Sequence, residues 1–282
     1  MRIGFNLLLW TTHVTETHFP ILEDLKRTGY DGVEVPLFEG NVAHFRTIGN
    51  VLRDQGLAAT GVTVLPDEAH SAVSPDAASR QGALDHIRRA IDCLQACGGT
   101  VLGGPFHQPL GVFTGNPPTA AELDRLVEVH VQAADFAAQA GIALSVEPLN
   151  RFECYVLNTV ADAAAIVARV ERPNYGLLYD TFHANIEEKH PIGVIRPHLA
   201  HINHVHISEN DRGTPGKGHV PLAMTFAALK EGGYDGWLTI EAFGRALPAL
   251  AAATRVWRDF FPEREEVYRH GFRVIQDGWA AA

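Results

Sequence analysis

Cysteine is scarce in this sequence, with three among 282 residues. Cys93 and Cys97 lie four apart in a helical pattern and Cys154 stands alone. That is neither a disulfide framework nor a zinc spacing, so all three read as buried thiols. Long apolar runs are missing as well: no window approaches about 18 uninterrupted apolar residues. Met1 is followed by the strand-like RIGFNLLLW, not by a basic region, an apolar stretch and a small-residue cleavage site. The expectation is a soluble, cytoplasmic protein. Positive charge is in deficit, with 23 Lys and Arg against 33 Asp and Glu and a formal net charge of -10. No segment joins clustered cations to interleaved aromatics, so nucleic acid and anionic membrane are poor partners and a small neutral substrate suits the chain better. Neither GxGxxG nor GxxxxGK[ST] opens a helix, which weakens the case for a doubly wound nucleotide-binding sheet.

What the chain does have is hydrophobic content, 46% over 282 residues, enough to bury a full core in one domain spanning residues 1–282. Eight short β-rich runs alternate with amphipathic stretches: RIGFNLLLW, DGVEVPLF, AATGVTVL, GTVLGGPF, IALSVEPL, YGLLYD, INHVHIS and GWLTIEAF. Helical patterns such as ALDHIRRAIDCLQACG lie between them, several closed by a glycine where the chain leaves the helix. The tetrapeptide GYDG recurs at 29–32 and 233–236, which reads as a repeated αβ turn, not as a duplication. The pattern predicts an α/β fold, a single closed (β/α)8 barrel with an extra C-terminal helix.

In such a barrel the chemistry sits at the carboxyl ends of the strands, on side chains that point inward. Strand residues alternate faces. In IALSVEPL the large apolar Leu144 and Val146 must meet the helices, so Ser145 and Glu147 point in. The same parity turns Asp180, His206 and Glu241 inward at the tops of the next three strands. Three carboxylates converging in a barrel mouth repel each other and lose hydration unless a counter-charge is present. A divalent cation supplies it. Oxygen-rich ligation with one nitrogen suits Mn²⁺, Mg²⁺ or Co²⁺ better than a structural zinc, and separately paired interior charges are the alternative.

The segments VEPLNRFE, DTFHANIEE, HVHISENDRG and TIEAFGR resemble the motifs of the ketose 3-epimerases of the D-tagatose, D-allulose and L-ribulose 3-epimerase group, within the xylose-isomerase-like barrels. The resemblance runs through the whole chain and is densest from about residue 140 to 245. It implies a divalent ion, usually manganese or cobalt, held by Glu147, Asp180, His206 and Glu241. It also implies Glu147 and Glu241 as the proton-transfer pair, with Glu153, His183 and Arg212 hydrogen-bonding the sugar. The implied reaction inverts C3 of a free ketose, such as L-ribulose, D-tagatose or D-fructose, through a cis-enediolate. Inversion needs a proton removed from one face and returned to the other, which two flanking carboxylates can do.

Rival readings on the same barrel are an aldose-ketose isomerase of the hydroxypyruvate or sugar type and an inosose-type dehydratase. A non-catalytic sugar-binding protein and a metal-dependent nuclease are further apart. Glu34 shares inward parity with Pro36 and reads as an acceptor behind the ligands, and His204 as a hydrogen-bonded core histidine one layer lower. His70 and His107 follow strands three and four and could bind a further metal, but with the acidic net charge against a DNA substrate they read as substrate-lining or surface histidines, while Trp10 and Phe243 are candidates for apolar walls. Lys217, among three glycines after strand seven, leaves a phosphorylated sugar open. Asn6, Val14 and Leu110 stand where the family's type members tend to carry aromatics around the sugar. Aromatics in VWRDFFPEREEVYRHGF are expected mostly to cover the barrel as its last helix, with a surplus for a subunit interface, and a homodimer or homotetramer is expected.

Overall fold

Each of the eight β-rich runs forms a strand in the computed structural model, which describes all 282 residues. The strands are β1 (Arg2–Asn6), β2 (Gly32–Pro36), β3 (Ala58–Val62), β4 (Val101–Gly104), β5 (Ala143–Val146), β6 (Tyr175–Asp180), β7 (Ile202–Ile207) and β8 (Trp237–Ile240). Neighbours pair in parallel and in chain order, and β1 pairs with β8 to close the barrel. Most strands stop short of the apolar runs that announce them. β1 gives way at Asn6 to a 3-10 turn over Leu7–Leu9, whose Leu8 N–H donates to the Asn6 side chain. After Glu147 comes Pro148, which has no N–H to extend the ladder.

The connecting helices are α1 (Phe19–Thr28), α2 (Val42–Asp54), α3 (Ala77–Cys97), α4 (Ala120–Gln139), α5 (Val160–Val170), α6 (Thr181–Glu187), α7 (Ile195–His198) and α8 (Leu222–Glu231). Two more follow β8, α9 (Pro248–Ala253) and α10 (Arg264–Ala281). Local sequence sets their starts: Thr119 with Glu122 and Thr159 with Asp162 form reciprocal capping pairs at α4 and α5. Both GYDG repeats end helices, and their first glycines adopt positive φ, 120° at Gly29 and 83° at Gly233. Leu144, Val146, Leu177, Tyr179 and Val205 face outward into the main core between barrel and helices. That outward packing is the strand parity that turns the polar residues in. No helix is long and apolar enough to cross a membrane.

The C-terminal aromatics divide their roles. Tyr268 and Phe272 on α10 pack against Phe5 and Tyr30, closing the barrel beside β1. Trp257, Phe260 and Phe261 precede α10 in the loop after α9, and Trp257 is 66% exposed. Pro262 stands just ahead of α10, and the helix forms only beyond it.

Candidate metal and active site

Registry between β6, β7 and β8 aligns Asp180 with His206 and His206 with Thr239, which sets Glu241 just above. Glu147 follows the last residue of β5, and its N–H still donates to Gly104 O at 3.1 Å. All four side chains are buried, and each offers a ligand atom within 4.8 Å of the others. His206 Nδ1 lies 3.5 Å from Asp180 Oδ2 and 3.5 Å from Glu241 Oε1. Neither His206 Nδ1 nor Asp180 Oδ2 has a hydrogen-bond partner in the protein.

The surroundings aim these orphaned atoms. Asp180 Oδ1 accepts the Phe182 and His183 N–H groups at the start of α6, which leaves Oδ2 to the cluster. His206 Nε2 donates to Glu34 Oε2 at 2.8 Å and His204 Nε2 to Glu34 Oε1 at 2.8 Å. Burial works against the Glu34 charge, yet His206 and His204 hold its carboxyl down at about 2, so the ionised form is the acceptor. A carboxylate behind a ligating imidazole fixes the ring and raises its basicity.

Electrostatics inside the cluster follow from crowding. Burial lifts Glu147 well above the usual carboxyl range, with His206 pulling the other way and Glu241 and Asp180 adding repulsion. Glu241 is pushed up to about 7, by burial first, then by Asp180 against the pull of His206. His206 rises well above its ordinary value despite burial, because Glu34, Glu241 and Asp180 surround it. Protons here stand in for a missing positive charge. Two orphaned, buried donor atoms and an oxygen-rich set with one imidazole nitrogen fit a divalent cation.

Above the cluster lies a cavity of about 230 Å³ lined by Glu147, Glu153, His183, Arg212 and Glu241 on one side and by Leu8, Phe38, Val62, Leu110 and Phe243 among the apolar residues. His183 Nδ1 accepts the Asn150 N–H at 2.9 Å, and its Nε2 lies 3.1 Å from the Arg212 guanidinium, which can only donate, and 3.7 Å from Glu147 Oε1. Burial lowers the His183 pKa to about 4, so the ring is neutral. Asn150 Nδ2 also donates to Glu153 Oε1 at 2.9 Å. The Arg212 guanidinium sits 3.2 Å from Glu153 Oε1, between the rings of Phe182 (4.1 Å) and Phe243 (4.9 Å). Its backbone takes a left-handed φ of 61°. The loop that imposes this conformation winds around Glu209, whose buried carboxylate accepts the N–H groups of Asn210, Gly216 and Val220.

Glu147, Asp180, His206, Glu241, Glu153, His183, Arg212 and Phe243 thus meet in one place, with Glu34 and His204 directly below. His107 does not join them. It is fully buried, with Nε2 3.5 Å from Cys154 Sγ, and burial drives its pKa down to about 3. Position after β4 marked it as substrate-lining, but the loop folds it inward beneath the wall. His70 pairs with Asp67 at 2.7 Å and does not converge with His107. Trp10 packs on Phe5 and Tyr268, and Val14 is a core residue. Lys217 pairs with Glu266 at 2.8 Å, which leaves Arg212 as the cation lining the cavity. Asn6, Asn150 and Glu209 hold the machinery without having been singled out for it; for Asn150 the available signal was its place inside PLNRFE, three residues before Glu153.

A family model described as a xylose isomerase-like TIM barrel matches residues 22–277. A probable ketose 3-epimerase of Synechocystis sp. (strain ATCC 27184 / PCC 6803 / Kazusa) is 32% identical over 276 residues, covering 98% of this chain and 96% of its own. The ketose 3-epimerase of Arthrobacter globiformis is 33% identical over 280 residues, with 98% and 96% covered. Among solved structures, a D-allulose 3-epimerase from Methylomonas sp. in complex with D-allulose superposes with a TM-score of 0.91 at 29% identity, over 98% of this chain and 96% of that one.

Proposed function

This chain belongs to the xylose isomerase-like TIM barrels, and from that premise we propose that it is a metal-dependent isomerase that inverts C3 of a free ketose of the L-ribulose, D-tagatose or D-fructose/D-allulose type. The observation that carries the proposal is the pairing of Glu147 and Glu241, from the non-adjacent strands β5 and β8, on the wall of one cavity above the candidate ligands. Relatives named as ketose 3-epimerases over nearly the full chain support it.

Glu147, Asp180, His206 and Glu241 are the residues to hold the ion, with Mn²⁺ the best match to the donor set and Co²⁺ or Mg²⁺ the alternatives. When bound, a divalent cation draws electron density from the ketone and so acidifies the proton on the neighbouring carbon. Glu147 or Glu241 removes the C3 proton, and the other returns one to the opposite face. His183 presents Nε2 on the cavity wall beside Arg212, within reach of a substrate oxygen. Glu153 accepts from a hydroxyl while Arg212, stacked between two rings, presents its fork to neighbouring oxygens. The apolar wall limits water access to the carbanionic carbon.

With Lys217 engaged by Glu266, a free sugar suits the cavity better than a phosphorylated one. Three unpaired cysteines accord with a reducing, cytoplasmic setting. Phe152 and Trp257, 65% and 66% exposed on the loops after β5 and β8, support a homodimer or homotetramer that covers them.

The test is product identity. Chelator-stripped protein, with and without Mn²⁺ restored, is incubated with D-fructose, D-tagatose and L-ribulose, and the products are separated by chromatography. The C3 epimer should form only with metal. An aldose product transfers the assignment to aldose-ketose isomerisation, and an unsaturated product absorbing in the ultraviolet transfers it to dehydration.

A further inference from the structure

Asn6 ends β1 under the cavity and is wholly buried. Both N–H donors of its side chain and its carbonyl oxygen are engaged. Nδ2 donates to Glu34 Oε2 at 2.8 Å and to Glu241 Oε1 at 3.0 Å, while Oδ1 accepts from Leu8 N at 2.9 Å. A backbone N–H can only donate and a carboxylate accepts, so the amide cannot be turned over. Glu34 Oε2 also receives His206 Nε2. One amide therefore ties together the supports of two of the four candidate ligands, on strands remote in sequence.

The oxygens of Glu241 are treated unequally. Oε1, held by Asn6, is the one 3.5 Å from His206 Nδ1 and so faces the ligand cluster. Oε2 takes no hydrogen bond from the protein, and the side chain lines the cavity. Resting on the epimerase reading above, we infer that Asn6 is a positioning residue that divides the work of Glu241, fixing Oε1 on the ligand cluster and leaving Oε2 free for the C3 proton. Asn6 does not line the cavity, so it acts through Glu241 and not on the sugar. Glu147 has no such amide. The two faces of the reaction therefore depend on Asn6 to different degrees.

The test uses the full chain, stripped of metal, as wild type, Asn6→Ala and Asn6→Ser. Serine keeps a short oxygen acceptor for the Leu8 N–H but cannot span both carboxylates, which separates loss of the turn from loss of the bridge. Calorimetric titration with Mn²⁺ should show binding roughly 10- to 100-fold weaker in both variants, the usual scale for removing a support behind a ligand. At saturating Mn²⁺ in D₂O, deuterium wash-in at C3 is then followed by NMR from each member of an epimer pair before the other accumulates. Wash-in from the epimer whose proton faces Glu241, identified as the one Glu241→Gln abolishes, should slow at least about tenfold more than wash-in from its partner. The ratio is taken within one protein sample, so partial misfolding does not move it. Wild-type Mn²⁺ affinity in both variants, or equal slowing of the two wash-ins, overturns the inference. A wild-type chain that exchanges no C3 proton overturns the epimerase reading and this inference with it, an outcome distinct from the first.

Discussion

Metal binding by this chain should expel protons, and the structure shows which groups hold them. In the metal-free cluster Glu147 sits well above the usual carboxyl range, His206 well above its ordinary value, and Glu241 at about 7. Those directions favour the protonated forms of Glu147 and His206 at neutral pH and leave Glu241 partly protonated. Each must leave for its atom to become a ligand. The expected release is therefore more than about one proton per Mn²⁺, the three sites titrating as one set. The sign is fixed by the direction of the shifts: lowering pH fills the groups that the metal must empty, so affinity falls as pH falls. Between pH 7 and pH 6 the Kd should rise by more than about tenfold, each released proton contributing about tenfold per unit of pH. Calorimetry in buffers of different ionisation enthalpy counts the protons directly. Fewer than about half a proton released, with a Kd flat across that interval, refutes the claim that protons occupy the ligand atoms.

Other expectations follow from the same geometry. Glu147→Gln and Glu241→Gln should each lower turnover by roughly 100- to 10,000-fold while ketose binding, read by calorimetry at saturating Mn²⁺, survives. Arg212→Lys loses the planar stack between Phe182 and Phe243 and the forked donors. The ketose KM should rise roughly tenfold or more with Mn²⁺ affinity unchanged, and a weakened metal site would place Arg212 in a different role. Glu209→Ala strips the acceptor from three backbone N–H groups and should cost roughly 3 kcal/mol. Thermal melts should show a fall on the order of 5–10 °C, together with a raised KM because the Arg212 loop loosens.

Much of this molecule could be read from its sequence because barrel strands obey two rules at once. Alternation sends Leu144, Val146, Leu177 and Tyr179 outward to the helices, and the remaining parity had to bring Glu147, Asp180, His206 and Glu241 inward at similar height. Cross-strand registry, which no single strand encodes, then drew the candidate ligand atoms within 4.8 Å. Loops were harder. His107 was assigned by its position after β4, but a loop residue has no face fixed by a repeat, and this one folds under the wall against Cys154. Asn6 and Glu209 act through contacts with sequence separations from 1 to 235, and in the sequence they are an ordinary strand-end amide and a loop acid. The segment expected to join the last helix was cut by Pro262, which left Trp257 exposed ahead of α10.

The central claim is that two carboxylates move the proton at C3 of a ketose in a metal-dependent way. It is tested most directly by NMR in D₂O on metal-stripped protein with Mn²⁺ restored, across L-ribulose, D-tagatose and D-fructose. Deuterium should enter at C3, in step with the C3 epimer, and only with metal present. Deuterium at C1 with an aldose forming, or no exchange into any ketose at saturating Mn²⁺, would contradict it.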